Sequence, residues 1–293
     1  SGILGVTADS MANVVRCGAG GVTSKSLWPY EHTGHPNPVI ITSEHWMLNA
    51  VGIPDAGPEK AREEIARFRE ICDAPFIANI VGGVMDDYAQ IATEVATMCP
   101  DMVEVNISCP NVEYELGTPM AGSLSIAAEV TKLVKQPLRE AGGGKIPVVG
   151  KLSPNVENIV SIAASVLEAG ADGITAINSV GPGMAIDIDF ARPILANKVG
   201  GLTGPAIKPL AVKYVYDIYK AHKCPIIGTG GVTTGRDAIE MMMAGAGLIG
   251  VGSAVWLHGP EVFEKIVKEM NAWCDENGVK EIQSLIGKAH GNN

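Results

Sequence analysis

Met102-Val103-Glu104-Val105-Asn106-Ile107-Ser108-Cys109-Pro110-Asn111 carries an apolar run of buried-strand type straight into amides, a hydroxyl and one thiol. Pro110 has no backbone N–H to give a ladder and stops the strand there. In a parallel α/β fold the reacting groups sit at the carboxyl ends of the strands. The stretch therefore reads as a strand opening on a polar pocket, with Cys109 as a candidate acid/base or nucleophile.

Working outward, short apolar runs recur at 20–24, 76–80, 102–107, 147–152, 173–178, 225–229 and 248–252. They are largely continuous rather than alternating, as expected of strands covered on both faces of a parallel sheet. Helical patterns lie between them at 8–17, 57–72, 86–98, 123–139, 156–169, 207–221, 235–244 and 260–276. Ser123, Asn155 (with Glu157 following) and Thr234 (before Gly235-Arg236-Asp237) read as helix starts. With a stub at Ser1-Gly2 as an eighth strand, the alternation predicts an α/β protein: a (β/α)8 TIM barrel, one domain over 1–293, its first strand truncated at the N-terminus. A doubly wound open sheet is the alternative, but no G-x-G-x-x-G follows the first strand. The segment 26–58 is too long for a plain βα loop and holds Trp28, Pro29, Pro36, Pro38 and Val39-Ile40-Ile41. It is expected to make an excursion over the C-terminal mouth of the barrel.

The 293 residues are 46% hydrophobic, enough for a large core. A formal charge of −10 and the absence of any Lys/Arg-rich run argue against nucleic-acid binding. No apolar segment approaches the roughly 20 residues that span a bilayer, and the start lacks a signal-peptide pattern, so a cytoplasmic protein is expected. The six cysteines contain no CxxC pair and the histidines are scattered, so no metal is expected. Cys17, Cys72, Cys99, Cys224 and Cys274 read as small buried or half-buried residues in a reducing compartment.

Two glycine turns follow the last two strands, Thr229-Gly230-Gly231-Val232 and Val251-Gly252-Ser253-Ala254. Loops at those places in a barrel commonly bind phosphate, because missing β-carbons let backbone N–H groups come close. Gly200-Gly201-Leu202-Thr203-Gly204-Pro205 is a third such turn, and plain tight turns are the alternative for each. Lys151 closes the strand Val148-Val149-Gly150-Lys151-Leu152, and Lys25 follows Val22-Thr23-Ser24 in the same manner. Each is either a snorkelling lysine or a cation for an anion in the pocket. Asn49, Asn79, Asn106, Asn111 and Asn178 recur at strand ends and in the excursion. Singly they suit turns; converging on one rim they would suit a planar polar ligand that needs donors and acceptors.

Several of these stretches occur together and in order. They are Thr23-Ser24-Lys25-Ser26, Leu48-Asn49-Ala50-Val51-Gly52, Asn106-Ile107-Ser108-Cys109-Pro110-Asn111, Gly201-Leu202-Thr203-Gly204-Pro205-Ala206-Ile207-Lys208-Pro209 and Ile227-Gly228-Thr229-Gly230-Gly231-Val232. Over nearly the whole chain the sequence resembles the class 1 dihydroorotate dehydrogenases. Gly183-Met184-Ala185-Ile186-Asp187-Ile188 and Arg192-Pro193-Ile194-Leu195-Ala196-Asn197 resemble the class 1B catalytic subunit in particular. The resemblance implies a flavin mononucleotide (FMN) barrel, one FMN per chain, that oxidises dihydroorotate to orotate in pyrimidine biosynthesis. It implies Cys109 as the catalytic base. It implies a substrate site of Lys25, Asn49, Ala50, Val51, Gly52, Ile53, Asn106, Asn111, Asn178 and Ser179. FMN would touch Ser1, Lys25, Ser26, Asn79, Asn106, Lys151 and Ile177, with its phosphate at Gly204, Gly230, Gly231, Gly252 and Ser253.

Class 1B further implies a partner subunit with FAD and a 2Fe-2S cluster that passes electrons to NAD, around a homodimeric catalytic core. This chain has no cysteine spacing for a cluster of its own. Two departures from the family pattern stand out: its usual leading strand or hairpin does not precede Ser1, and Ser179 replaces a threonine while keeping the hydroxyl. The alternatives are a fumarate-dependent class 1A enzyme and a flavin barrel of the dihydropyrimidine dehydrogenase type, which usually carries His where Asn111 stands. A phosphate-binding scaffold without catalysis would leave Cys109, Lys25, Lys151 and the asparagines without a role.

Overall fold

The apolar runs become strands because each can bury both of its faces, one against helices and one against the opposite wall of a curled sheet. The computed structural model describes residues 3–107, 122–142 and 146–291; Ser1, Ser108, Cys109 and Asn111 lie outside them. In chain order the elements begin with α1 (Ala8–Arg16), β1 (Val22–Thr23), β2 (Ile40–Thr42), β3 (Met47–Asn49), α2 (Pro58–Ile71), β4 (Phe76–Ile80) and α3 (Met85–Ala96). They continue with β5 (Met102–Asn106), α4 (Leu124–Gly142), β6 (Val148–Leu152), α5 (Ile159–Glu168), β7 (Gly173–Ala176), β8 (Val180–Gly183), β9 (Ile186–Asp187), β10 (Arg192–Pro193) and β11 (Gly200–Thr203). The chain then runs through α6 (Lys208–His222), β12 (Ile226–Thr229), α7 (Gly235–Ala244), β13 (Leu248–Gly250), α8 (Ser253–His258) and α9 (Val262–Glu276).

The main sheet has seven strands in the order β1-β4-β5-β6-β7-β12-β13, and its pairings are parallel. Spatial order follows chain order without a reversal. A doubly wound sheet reverses at a switch point, so this is the winding of a TIM barrel. The stub expected at Ser1-Gly2 lies outside the described residues. Residues 3–5 run beside β1, where the Lys25 amide donates to the Gly5 carbonyl at 2.8 Å. They share an apolar cavity of about 520 Å³ with Leu248, Ile249 and Gly250 of β13, and so lie along the seam between the first and last strands.

Pleating sends alternate residues to opposite faces. Outward positions press on the helices: a β-carbon on Gly150 would stand 2.6 Å from Val166 Cγ1 in α5, and one on Gly228 would stand 2.5 Å from Met241 Cγ in α7. Phe76, Ala78, Ile80, Val103 and Val105 fill the same outward layer and are wholly buried. The opposite parity holds Asn79, Glu104, Asn106, Lys151, Thr175 and Thr229, all buried. In register, Asn79 pairs with Glu104, Asn106 with Lys151, and Lys151 with Thr175. The interior of the barrel is therefore polar toward the carboxyl ends of its strands.

The excursion supplies β2 and β3, which join β11 and β8 in a four-stranded antiparallel sheet of order β2-β3-β11-β8. Its partner strands, from residues 180–203, carried no strand signal, because their Gly- and Pro-rich sequence is held by pairing rather than by propensity. The expected start at Asn155 is displaced. Helix α5 begins at Ile159 and is capped by Asn158, whose side chain accepts from Ser161 N. Asn155 instead donates to the Ser179 carbonyl and accepts from Gly181 N, so a loop uses it rather than a helix. Among the expected buried cysteines, Cys99 is exposed, on a turn with φ of 50°. Among the described residues no helix is long and apolar enough to cross a membrane.

Thr234 caps α7 as expected: its hydroxyl accepts from Asp237 N while Asp237 accepts from Thr234 N, a reciprocal capping box. Burial alone would push the Asp237 carboxyl up, but the Lys208 ammonium and the Thr233 and Thr234 donors hold it down at about 2. A depressed carboxyl stabilises the fold above its ordinary value near 3.8 and stops doing so as pH falls toward 2. Asp237→Asn is therefore expected to lose on the order of 1–2 kcal/mol at pH 7, part of the interaction being screened by solvent, and much less near pH 2.5. Urea unfolding at the two pH values checks this; an equal loss at both would remove the charge from the explanation.

Candidate active site

The carboxyl ends of the strands and the underside of the small sheet enclose a cavity of about 350 Å³, within the range of small-molecule sites. Lys25 and Ser26 reach it just after β1, Asn79 from β4, Asn106 from β5, Lys151 from β6, and Ile177, Asn178 and Ser179 just after β7. Asn49 and Val51 enter from the excursion. Gly204, Gly230, Gly231, Gly252 and Ser253 close one side. Residues from positions 25 to 253 meet here because a barrel gathers all its strand ends on one rim.

Three expected residues do not line this cavity. Ala50 alternates away from Asn49 and Val51 and packs with Leu48 and Leu195. Gly52 has φ of +76°, and a β-carbon there would stand 2.6 Å from His35 N. The Ile53 carbonyl accepts from the Trp28 indole N–H at 3.1 Å, so Ile53 braces the excursion. Ser1, Cys109 and Asn111 lie outside the described residues, which end on this side of Cys109 at Ile107. Sequence reasoning missed Ser24, Met47, Thr203, Thr229 and Trp256, which also line the cavity. Ser24, Thr203 and Thr229 adjoin residues already singled out, and that adjacency was an available signal. Nothing local pointed to Trp256.

The polar groups are linked. The Tyr88 hydroxyl donates to the Asn106 carbonyl at 2.9 Å, tying α3 to the end of β5. Asn178 Nδ2 donates to Asn106 Oδ1 at 3.4 Å, and Asn178 Oδ1 accepts from Ser179 N at 2.8 Å. Below them Glu104 Oε1 accepts from Asn79 Nδ2 at 2.6 Å and from Lys151 Nζ at 3.4 Å. Burial opposes the charge of Glu104, but the Lys151 cation and the Thr175 and Asn79 side-chain donors together hold the carboxyl below its ordinary range. Burial, reinforced by the Lys151 cation, pushes the Lys25 ammonium down. The cavity wall thus holds two lysines, with one carboxylate buried beneath it, a setting suited to an anionic ligand.

The glycine turns form a backbone cradle packed too closely on its neighbours to admit side chains. Gly230 has φ of +130°, and a β-carbon there would stand 2.8 Å from Ala211 Cβ. Gly231 has φ of +75°, and a β-carbon there would stand 2.9 Å from both Gly204 O and Lys208 N. Only glycine adopts these angles at so close an approach, and such a nest suits a phosphate. Lys208 Nζ is engaged by Asp237 at 2.8 Å and Glu240 at 2.7 Å, so this lysine is turned to carboxylates.

A family model described as dihydroorotate dehydrogenase matches residues 1–273. Curated relatives named dihydroorotate dehydrogenase B (NAD(+)), catalytic subunit, are similar to nearly the whole chain. One from Methanosarcina mazei is 40% identical over 291 residues, 99% of this chain and 90% of the relative. One from Methanothermobacter thermautotrophicus is 39% identical over 290 residues, 99% of this chain and 93% of the relative. One from a Geobacillus species is 39% identical over 272 residues, 92% of this chain and 84% of the relative.

The electrostatics order two lysines. Lys25 is pushed down by burial and Lys151, whereas the exposed Lys60 is pushed up by Glu63. Amine labelling across a pH series, read by mass spectrometry, is expected to modify Lys25 at lower pH than Lys60. The reverse order would overturn this account of the cavity.

Proposed function

This chain belongs to the dihydroorotate dehydrogenase family, and from that premise we propose that it is the catalytic subunit of a class 1B enzyme that oxidises dihydroorotate to orotate with one FMN at the barrel mouth. The observation that carries the reading is the convergence of Lys25, Asn79, Asn106, Lys151 and Asn178, from five successive strand ends, on one cavity flanked by the Gly204–Gly231 cradle. The cradle fits a phosphate, and Asn79 Oδ1, buried without a hydrogen-bond partner among the described residues, fits a ring that brings its own donor. Gly204, Gly230, Gly231, Gly252 and Ser253 would hold the phosphate; Ser1, Lys25, Ser26, Asn79, Asn106, Lys151 and Ile177 would hold the rest of FMN. When bound, FMN supplies the hydride acceptor of the reaction.

The chain's own residues have three tasks. Lys25, with Asn49, Asn106, Asn111, Asn178 and Ser179, binds the carboxylate and ring amides of the substrate; an ammonium and several amides match its charge and its mixed donors and acceptors. Cys109 takes the proton from substrate carbon. A free thiol has a pKa of about 8.5, so the base form grows as pH rises toward that value. Lys151, buried beside Glu104, places a cation where negative charge would develop on reduction. Residues of the small sheet and Trp256 line the cavity beside these charges.

The relatives' names carry NAD(+), which favours NAD over fumarate as the final acceptor. "Catalytic subunit" in those names implies a separate partner. We assign FAD and a 2Fe-2S cluster to that partner, and a homodimer to the core of the assembly.

Purified protein is expected to be yellow, and anaerobic dihydroorotate is expected to bleach the flavin band; a protein that takes up no FMN on incubation would sink the reading. Cys109→Ala should retain FMN and slow its reduction by about 10²-fold or more, the usual size of a general-base effect. In the unaltered protein the reduction rate should climb between pH 6 and about 8.5; a flat profile with chemistry limiting would remove Cys109 as the base.

A further inference from the structure

Glu104 has no role in the reading so far, yet its side chain is only 3% exposed, in the barrel interior. Burying a carboxylate costs several kcal/mol unless charge and hydrogen bonds offset it. Here Lys151 and Asn79 do so at Oε1, and the Thr175 side chain adds to them. Lys151, Thr175 and Asn79 together keep the group ionised, and an ionised carboxylate can only accept. That settles the orientation of Asn79. Turning its amide over would set Oδ1 against the carboxylate oxygen, now 2.6 Å from Nδ2. Nδ2 is therefore committed to Glu104, and Oδ1 is presented as an acceptor with no partner among the described residues. Asn79 is 2% exposed and lines the cavity, so the missing donor comes from whatever fills it.

We propose that Glu104 is a positioning residue that locks the Asn79 amide so that Oδ1 accepts a hydrogen bond from the ring N–H of bound flavin. This rests on the FMN reading above. The oxidised isoalloxazine ring has a single N–H, at N3, between two carbonyls. Asparagine unrestrained can turn its amide either way; locked by a carboxylate, it offers one pole only. The lock selects a ring with an imide donor at that point and disfavours one presenting a bare acceptor, which would face Oδ1 without a proton between them.

The test uses apoprotein reconstituted with FMN labelled with ¹⁵N at N3, in the unaltered chain, in Glu104→Gln and in Asn79→Ala. In Glu104→Gln the new amide offers both a donor and an acceptor, so the lock is released. Asn79→Ala removes the acceptor and leaves the Lys151–Glu104 pair in place, which keeps the test intact if the Glu104→Gln protein does not fold. Both variants should bind FMN about tenfold more weakly, the size of one hydrogen bond, with the N3 resonance shifted upfield. The double variant should bind no more weakly than Asn79→Ala alone, because the two residues act as one unit. Weaker binding with the N3 resonance unmoved would assign the donor to a ribityl hydroxyl and overturn the proposal. FMN that binds equally well in all three proteins overturns the lock alone; failure of the unaltered chain to bind FMN overturns the cofactor reading and the lock together.

Discussion

A pleated strand sends only every second side chain inward, and the rest of this structure depends on which residues fall at those positions. The outward layer is packed to its limit: at Gly150 and Gly228 even a β-carbon would overlap a helix. Polar residues of the strands therefore have one place to go. A one-residue slip in β5 or β6 would turn Glu104 or Lys151 into the apolar layer against the helices, at a cost of several kcal/mol for each unpaired charge. The same slip would strand Val103, Val105 and Val148 in a polar interior, forfeiting roughly 1.5–3 kcal/mol for each buried side chain. Register, core and site are settled by one alternation.

What that alternation builds is a small balance of charge. Two ammonium groups line the cavity and one carboxylate lies buried beneath them, and Lys151 acts on both of the others. Glu104 offsets one of the lysines and lets both remain in the same cavity. The surplus of one positive charge suits an anionic ring acid and charge growing on a reduced cofactor. The phosphate-type cradle is separate. It is made of backbone at Gly204, Gly230 and Gly231, while nearby Lys208 is held by Asp237 and Glu240. The cavity thus has a charged inner wall and a glycine-lined side, one suited to a ring and the other to a phosphate.

The strands and most helices were legible because their signals are local. Thr234 caps α7 as the residues around it predict, and the Phe76–Ile80 run is a strand over its full length. Asn155 misled because it and Asn158 both precede the same apolar run, and only the distant Ser179 and Gly181 decide which one the loop uses. Glu104 was read through, as a single charge in an apolar run. Yet the lumen-facing polar residues recur near the ends of β4, β5, β6, β7 and β12, and that recurrence across strands was the signal. The sheet over the mouth was half legible: Val39-Ile40-Ile41 looks like a strand, whereas Val180–Gly183 looks like a turn and is a strand only because β11 pairs with it.

From its residues alone the chain determined that it would be a wound α/β barrel with glycine turns after its last strands, and its ordered motifs pointed to its family. Periodicity, caps and turn chemistry act over a few residues and are written where they act. Tertiary structure alone decided which asparagines share a cavity, that Ala50, Gly52 and Ile53 are not part of its lining, and which way the Asn79 amide points. Those outcomes turn on contacts between residues far apart in the chain, such as Asn79 with Glu104 and Glu104 with Lys151, and only the closed register of neighbouring strands brings such residues within hydrogen-bonding distance.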